Sequence, residues 1–405
     1  MLIDAVAWAV VAIAALVVIY HHLIYPVLLP WLARRFGTDA SPPPVATEEL
    51  PPVALVIPAH NEAAIIAAKI ENCAALDYPR DRLRIVLALD GCRDLTRANA
   101  LAALERSPRD LRIEIIEYPD NIGKIAVLND RIADVGEPIV VLTDASALLK
   151  SDLLRRAASH FRRPEVGVVF ATYALLAAGS EGERRYTEFQ TRLKANEGRL
   201  AEPMGGHGAC YLIRRAAWQS IPADTINDDF MLPMGIVANG WRAVYDADLE
   251  VTELEKTGSR QEFRRRMRIG AGNMQQSLRL WRLADPRRGW LAFVFVSGKG
   301  ARPFMPFIMI AAMIALAVLA VRGSLLAAVG YVTAVTLLAA TALAITLRLR
   351  RLPRPVLWFV YLVEGYTASL VGAVKYLVGQ RVAGWQPSGT PRPAVRVDPS
   401  AGPSP

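Results

Sequence analysis

Val53-Ala-Leu-Val-Ile57 is an unbroken apolar run that leads straight into Pro58-Ala-His-Asn-Glu62. A short apolar run ending on turn-forming polar residues reads as a strand buried on both faces. The pattern returns twice. Arg84-Ile-Val-Leu-Ala-Leu89 runs into Asp90-Gly-Cys-Arg-Asp94, and Pro138-Ile-Val-Val-Leu142 runs into Thr143-Asp-Ala-Ser146. Arg112 to Tyr118 supplies a further strand, and helical stretches open at Asn61-Glu62, at Asp94-Leu-Thr-Arg97 and at Gly123-Lys124, the last running to Ala133. Strands alternating with helices at this spacing predict an α/β domain with a mostly parallel sheet covered on both faces. Ligands of such sheets bind beyond the carboxyl ends of the strands, which is where the polar residues fall.

The flanks of this domain are of another kind. With 53% hydrophobic and 21% charged residues and a mean hydropathy of +0.25, the 405-residue chain is too apolar for a soluble enzyme and far too apolar for disorder. Ala5 to Leu32 carries no formal charge and is long enough to cross a hydrocarbon core, which takes about 20 residues. Its start, Met-Leu-Ile-Asp, lacks the basic region of a cleaved signal peptide. Arg34 and Arg35 then place the following domain on the cytoplasmic side. The expected order is a transmembrane helix over 1–37, a Pro-rich linker over 38–52 and the α/β domain over 53–285. After it come a candidate interfacial helix over 286–302, about three transmembrane helices over 303–380 and a Pro/Ser/Gly-rich disordered tail over 381–405. The last apolar stretch, Val356 to Val378, holds Glu364 and Lys375, so it tilts, pairs internally or lies in the interface.

The net charge is +9, but its arginines sit beside apolar spans or in the run Arg260 to Arg268, without a nucleic-acid-binding module. Basic charge in that setting marks a bilayer surface, not a nucleic acid. Three cysteines, Cys73, Cys92 and Cys210, make neither a disulfide scaffold nor a zinc knuckle. GxxxxGK[ST], GxGxxG after the first strand, GxSxG and HExxH are all missing from the sequence, which disfavours phosphate-loop ATPase, dinucleotide oxidoreductase, serine hydrolase and zinc protease.

Carboxylates gathered at strand ends suit two tasks: hydrogen bonding to a base or ribose, and holding a hard divalent cation that bridges phosphates. Asp90 and Asp144 end their strands in equivalent places, whereas Asp94 can equally cap the helix that follows. Gly123-Lys124 is a plain helix start or a phosphate contact through its free N–H groups and ammonium.

Taken in order, Val56-Ile-Pro-Ala-His-Asn-Glu62, Asp90-Gly-Cys-Arg-Asp-Leu-Thr96, Asn121-Ile-Gly-Lys124 with Asn129, and Thr143-Asp-Ala-Ser146 resemble the family 2 glycosyltransferases of the GT-A (Rossmann-like) fold. The resemblance runs from about Pro52 to Gln276, and the apolar flanks are similar to the membrane-bound branch that includes cellulose, hyaluronan and exopolysaccharide synthases. It implies an inverting transfer, assisted by Mg²⁺ or Mn²⁺, from a nucleotide-sugar donor such as a UDP-sugar. The acceptor it implies is a saccharide or a lipid-linked one, at a bacterial-type inner membrane with the catalytic domain in the cytoplasm. Ala59, Asn61, Glu62, Asp90 and Asp94 fall where the family holds the nucleoside, and Lys124 falls near the diphosphate. Asp144 matches the first aspartate of the metal motif, whose last position is here Ser146. Gly205-Gly-His-Gly-Ala209 lies on the acceptor side, where Gly206 and Gly208 allow close approach to a sugar and His207 is a contact or a base.

Thr225-Ile-Asn-Asp-Asp-Phe230 matches the family's Thr-Glu-Asp motif, making Asp229 the general base, with Asp228 the alternative in a different helix register. The run Gln261-Glu-Phe-Arg-Arg-Arg-Met-Arg-Ile-Gly270 stands where the family has QxxRW. It offers Arg264 and Arg266 to a departing diphosphate but lacks the tryptophan of processive synthases. That run also reads as a lipid-facing amphipathic helix. A competing function is a silent nucleotide-binding subunit of a polysaccharide export or regulatory assembly, which has no need of a base at Asp229.

Overall fold

The computed structural model describes residues 1–38, 46–175, 181–206, 208–254, 259–347, 354–380 and 395–397. Most of the linker, His207 and nearly all of the C-terminal tail lie outside them. The strands are β1 (Val53–Ala59), β2 (Leu83–Asp90), β3 (Ile113–Tyr118), β4 (Ile139–Thr143), β5 (Ala147–Leu149), β6 (Val166–Leu175), β7 (Cys210–Arg214), β8 (Arg242–Glu253) and β9 (Val395–Val397). They form one sheet in the order β5-β8-β6-β7-β4-β1-β2-β3-β9. The helices are α1 (Leu2–Ile19), α2 (Tyr25–Phe36), α3 (Ile66–Ala74), α4 (Thr96–Glu105), α5 (Lys124–Asp134), α6 (Leu153–His160) and α7 (Glu181–Leu200). They continue with α8 (Asp228–Ala238), α9 (Ser259–Arg279), α10 (Trp290–Phe295), α11 (Met305–Val321), α12 (Leu325–Thr346) and α13 (Arg354–Leu377).

The part of the sheet that carries the strand-end motifs is parallel: β1 pairs with β2 and β4, and β2 with β3. Every residue of β1 and β4 is buried, as continuous apolar runs require when helices cover both faces. Beyond β4 the sheet becomes mixed, because β7 runs antiparallel to β4 and to β6. The first helix after β1 starts at Ile66 and not at Asn61. Asn61 instead adopts a left-handed backbone (φ 59°), which a short amide side chain tolerates, and so breaks any helix there. Three tail residues also depart from the expected disorder. β9 adds to β3 in antiparallel register, Ile115 opposite Val397, and covers an edge that would otherwise present unpaired backbone groups.

The chain divides into two compact units: Leu32–Thr257 with Ala383–Pro405, which holds the sheet, and Met1–Trp31 with Gly258–Val382, which is helical. The division falls at Gly258 and not near Asp285, because α9 packs on α13 inside the helical unit. Their contact is made by small residues. A Cβ on Gly372 would stand 2.0 Å from the Met267 carbonyl oxygen, and one on Gly270 would stand 2.6 Å from Ser369 Cα. Such stripes let helix backbones touch. Among the described residues, Leu2–Phe36, Trp290–Val321 and Leu325–Thr346 are long and apolar enough to cross a membrane. Within 286–302, α10 leads into a π turn (Val296–Gly300) whose Gly298 is not helical (φ −104°, ψ −108°), so a kink separates α10 from α11. In the same unit Ala7, Ala315, Leu319 and Ala327 form a buried cluster joining α1, α11 and α12. The third C-terminal stretch is helical as α13, but with Glu364 and Lys375 it is not among those three spans.

The α9–α13 contact yields a test. Gly372→Val forces the two backbones apart, and overpacking of this kind costs about 1–3 kcal/mol. The variant in detergent should unfold at a lower temperature than the wild type, while Gly136→Ala, at a position with an ordinary φ and no atom near a Cβ, controls for loss of a glycine.

Candidate active site

Four chain turns at the carboxyl ends of β1, β2, β4 and the start of α8 build the site, and Asp90 fixes the first of them. Its side chain is wholly buried. One carboxylate oxygen accepts from Ile122 N at 2.6 Å and the other from Gly123 N at 2.9 Å. The strand end therefore clamps the loop that begins α5, and Lys124 becomes the first residue of that helix. Gly91 has φ +57° and the place of its Cβ lies 2.3 Å from Asn121 N, so only glycine lets the two loops touch.

Lys124 reaches across to two carboxylates. Its Nζ lies 2.9 Å from Asp144 Oδ1 and 3.2 Å from Asp228 Oδ2. Burial works against the ammonium's charge, but Asp144 and then Asp228 outweigh it and hold the lysine pKa above its usual range. Pro58, Leu128, Leu142, Thr143, Gly208 and Tyr211 close around these three groups and leave no water-sized space. The Tyr211 hydroxyl, buried in the same wall, has no hydrogen-bond partner among the described residues. Burial, reinforced by Asp228, Asp229 and Asp144, pushes its pKa well above the ordinary phenol value, so it stays a neutral donor.

A second opening, about 220 Å³, is lined by His60, Asn61, Gly91, Arg93 and Asn121. Asn61 Oδ1 accepts from Arg93 N at 2.9 Å, and the His60 ring bonds the Asp90 carbonyl. Asp94 braces this wall, accepting from Thr96 N at 3.0 Å and Ala63 N at 3.2 Å. Burial opposes its charge, but the hydrogen bond from the Thr96 hydroxyl, followed by those from Thr96 N and Ala63 N, draws its pKa below the ordinary carboxylate value. Glu62 N donates to Thr96 Oγ1 at 2.7 Å, and Ala59 is fully buried at the end of β1. Of the residues expected here, Asn61 lines the opening and Asp90 and Asp94 shape it. His60, Arg93 and Asn121 join them, and their only sequence signal is membership of the same strand-end turns.

Asp228 and Asp229 open α8, where the helix dipole favours negative charge. Asp228 is 8% exposed and bound to Lys124; Asp229 is half-buried beside Gly208, whose Cβ would stand 3.3 Å from Asp229 Oδ2. A Cβ on Gly206 would stand 2.6 Å from the Phe170 ring. Ser146 is buried in the β4–β5 turn, with its carbonyl accepting from Leu254 N at 3.0 Å. Under that turn lies Lys69, which the sequence did not single out. It is wholly buried, donates to Thr143 Oγ1 at 3.0 Å and to the Ala147 carbonyl, and has its pKa pushed down by burial. Arg264 and Arg266 belong to the helical unit, where the Arg266 guanidinium lies over the Tyr361 ring at 4.1 Å and 3.9 Å from Glu364.

Residues 51–272, more than half of the chain, match the model of a family described as glycosyltransferase like family 2. The chain belongs to glycosyltransferase family 2. The matched segment contains the strand-end turns, the Lys124–Asp144–Asp228 cluster and the first part of α9. An N-acetylglucosaminyltransferase of Rhizobium meliloti is 26% identical over 67% of this chain and 64% of its own length. A beta-monoglucosyldiacylglycerol synthase of Synechocystis is 25% identical over 69% of this chain and 63% of its own. The chain thus spans just under two thirds of these curated relatives. A solved mannosyltransferase, PcManGT from Pyrobaculum calidifontis in complex with GDP-Man and Mn²⁺, superimposes with a TM-score of 0.69 at 25% identity. The match covers 91% of this chain and 99% of that one. The GT-A-type α/β sheet with apolar helices on both flanks is the fold of this family 2 member.

The Asp90 clamp has a measurable consequence. Asp90→Ala leaves the Ile122 N–H without its acceptor and the Gly123 N–H with only Asn121 Oδ1, 3.0 Å away, and an unsatisfied buried donor costs about 1–3 kcal/mol. Chemical unfolding of the variant should show that loss, and an unchanged midpoint would mean the loop is held by something else.

Proposed function

We propose that the protein is a membrane-bound, inverting glycosyltransferase that moves a sugar from a nucleotide-sugar donor, a UDP-sugar, to a saccharide or lipid-linked acceptor. The reading places the reaction at the cytoplasmic face of a bacterial inner membrane. The observation that carries it is the meeting of Lys124, Asp144 and Asp228 beside the opening lined by His60, Asn61, Gly91, Arg93 and Asn121. That opening suits a nucleoside, and the neighbouring charged cluster suits a diphosphate with its cation. The apolar helices and Arg34–Arg35 support the membrane and its cytoplasmic side. A relative named for a glucosyldiacylglycerol supports a lipid acceptor, and the GDP-Man and Mn²⁺ of the mannosyltransferase support the donor and metal classes.

The residues fit a divalent cation. Two carboxylates converge on one positive charge, and Tyr211 offers an uncommitted hydroxyl in the same wall. Asp144, with Asp228, would hold Mg²⁺ or Mn²⁺, and the cation would neutralise charge gathering on the leaving diphosphate. Asp229 is the base: its carboxylate accepts the proton of the acceptor hydroxyl as that oxygen bonds to the sugar's C1. The C1 bond to the nucleotide diphosphate breaks on the opposite face, so the anomeric centre inverts. Asp228 is less suited, since Lys124 already occupies it. Gly208, with no side chain to stand against Asp229 Oδ2, leaves room there for the acceptor sugar or alcohol, whereas Gly206 packs against the Phe170 ring.

The test uses membranes containing the full chain and a panel of labelled nucleotide sugars, with products separated into lipid and saccharide fractions. Wild-type transfer is expected with one donor. Asp229→Asn should lose about 10²- to 10⁴-fold in turnover, the usual weight of a positioned base, while binding nucleotide as well as the wild type. Asp228→Asn should lose less. No transfer from any donor, or wild-type rates in both variants, would favour a silent nucleotide-binding subunit instead.

A further inference from the structure

We propose that Lys124 is a built-in counter-ion to the Asp144–Asp228 pair, holding the cation position in the ligand-free protein and yielding it only when a nucleoside diphosphate arrives. The inference rests on the reading of Asp144 as part of the divalent-cation site. It goes further by giving the site an occupant and an order of filling.

Three observations carry it. The ammonium lies 2.9 Å and 3.2 Å from one oxygen of each aspartate, so it stands where a cation shared by both would stand. The ammonium itself fills the position shared by the two carboxylates, so a second cation bridging both has no room until the lysine moves. Among the described residues no group of three or more His, Cys, Asp or Glu side chains is placed to hold a metal. The protein therefore offers few of the roughly six oxygens that Mg²⁺ or Mn²⁺ takes.

A divalent cation arriving alone must displace an ammonium from two carboxylates and leave it, partly buried, without an acceptor. It gains in return only two protein oxygens. A diphosphate changes both sides of this balance. Its oxygens complete the cation's shell, and its negative charge gives the ammonium a new partner close by. Lys124 is the first residue of α5, where free N–H groups and the helix dipole already favour phosphate. Its four-carbon stem can turn from the aspartates to that anion without moving the helix. Cation and nucleotide should consequently bind with strong mutual dependence, each raising the other's affinity by the same factor.

The experiment is Mn²⁺ binding to the full chain in detergent, followed by the paramagnetic resonance of free Mn²⁺ and by calorimetry. It is run with no nucleotide and with saturating UDP or GDP, after correction for Mn²⁺ held by the free nucleotide. Wild type should bind Mn²⁺ at least tenfold more tightly with the nucleotide. Lys124→Met should bind Mn²⁺ without nucleotide at least tenfold more tightly than wild type does, and should gain less from the nucleotide. Lys124→Arg, which keeps the charge, should retain weak binding of Mn²⁺ alone. Equal Mn²⁺ affinity of wild type with and without nucleotide overturns the proposal, even if the Met variant does not fold. A folded Met variant that binds Mn²⁺ alone no better than wild type overturns it as well, leaving the cation site standing. Absence of any Mn²⁺ binding by wild type, nucleotide present or not, overturns the cation site and the proposal with it.

Discussion

The carboxylate of Asp90, sealed at the end of β2, is the constraint on which the sheet unit's site depends. A charge with no exposure must have its oxygens satisfied by the protein, and the N–H groups of Ile122 and Gly123 do this. Because those two donors precede α5, the clamp sets both where the helix begins and which way its first side chain points. Gly91 N donates to the Tyr118 carbonyl at 2.9 Å, so the turn after β2 is also tied to β3. One buried anion thus positions Asn121 at the wall of the larger opening and Lys124 at the aspartate pair.

A buried cation mirrors it on the other side of β1. Lys69 hangs from α3 beneath the β4–β5 turn and donates to Thr143 and Ala147, either side of the segment bearing Asp144 and Ser146. Both partners are neutral oxygens, and the nearby Asp144 charge works to offset the cost of burial. The turn that carries an exposed carboxylate is therefore held from below by hydrogen bonds that no solvent molecule competes for. The positioning is done by two fully buried groups of opposite kind, Asp90 and Lys69.

This separation explains what the sequence disclosed. β1, β2 and β4 were legible because apolar runs buried on both faces leave no other reading, and their polar ends marked the site at Asp90 and Asp144. The departure at Asn61 was not legible, since an N-cap and a left-handed turn draw on the same small polar residues. Lys69 was hidden for a simpler reason. A lysine within an amphipathic helix reads as a surface residue, and only the tertiary fold shows the oxygens that receive it. The packing of α9 inside the helical unit was not legible, because α9 is rich in arginine, yet its Gly270 and Ala271 face small residues of α13. Composition averaged over the helix conceals a contact made by two positions.

The paired aspartates at the start of α8 show how local geometry divides labour between identical groups. Successive helical residues point about 100° apart, so Asp228 and Asp229 cannot serve one partner. Asp228 turns into the wall and meets Lys124; Asp229 turns toward Gly208 (φ +80°), whose Cβ would stand 3.3 Å from its Oδ2. Asp228 is paired with an ammonium, which suits a group that holds charge. Asp229 has its oxygen beside Gly208, and that is the side from which the proposed reaction would bring an acceptor hydroxyl.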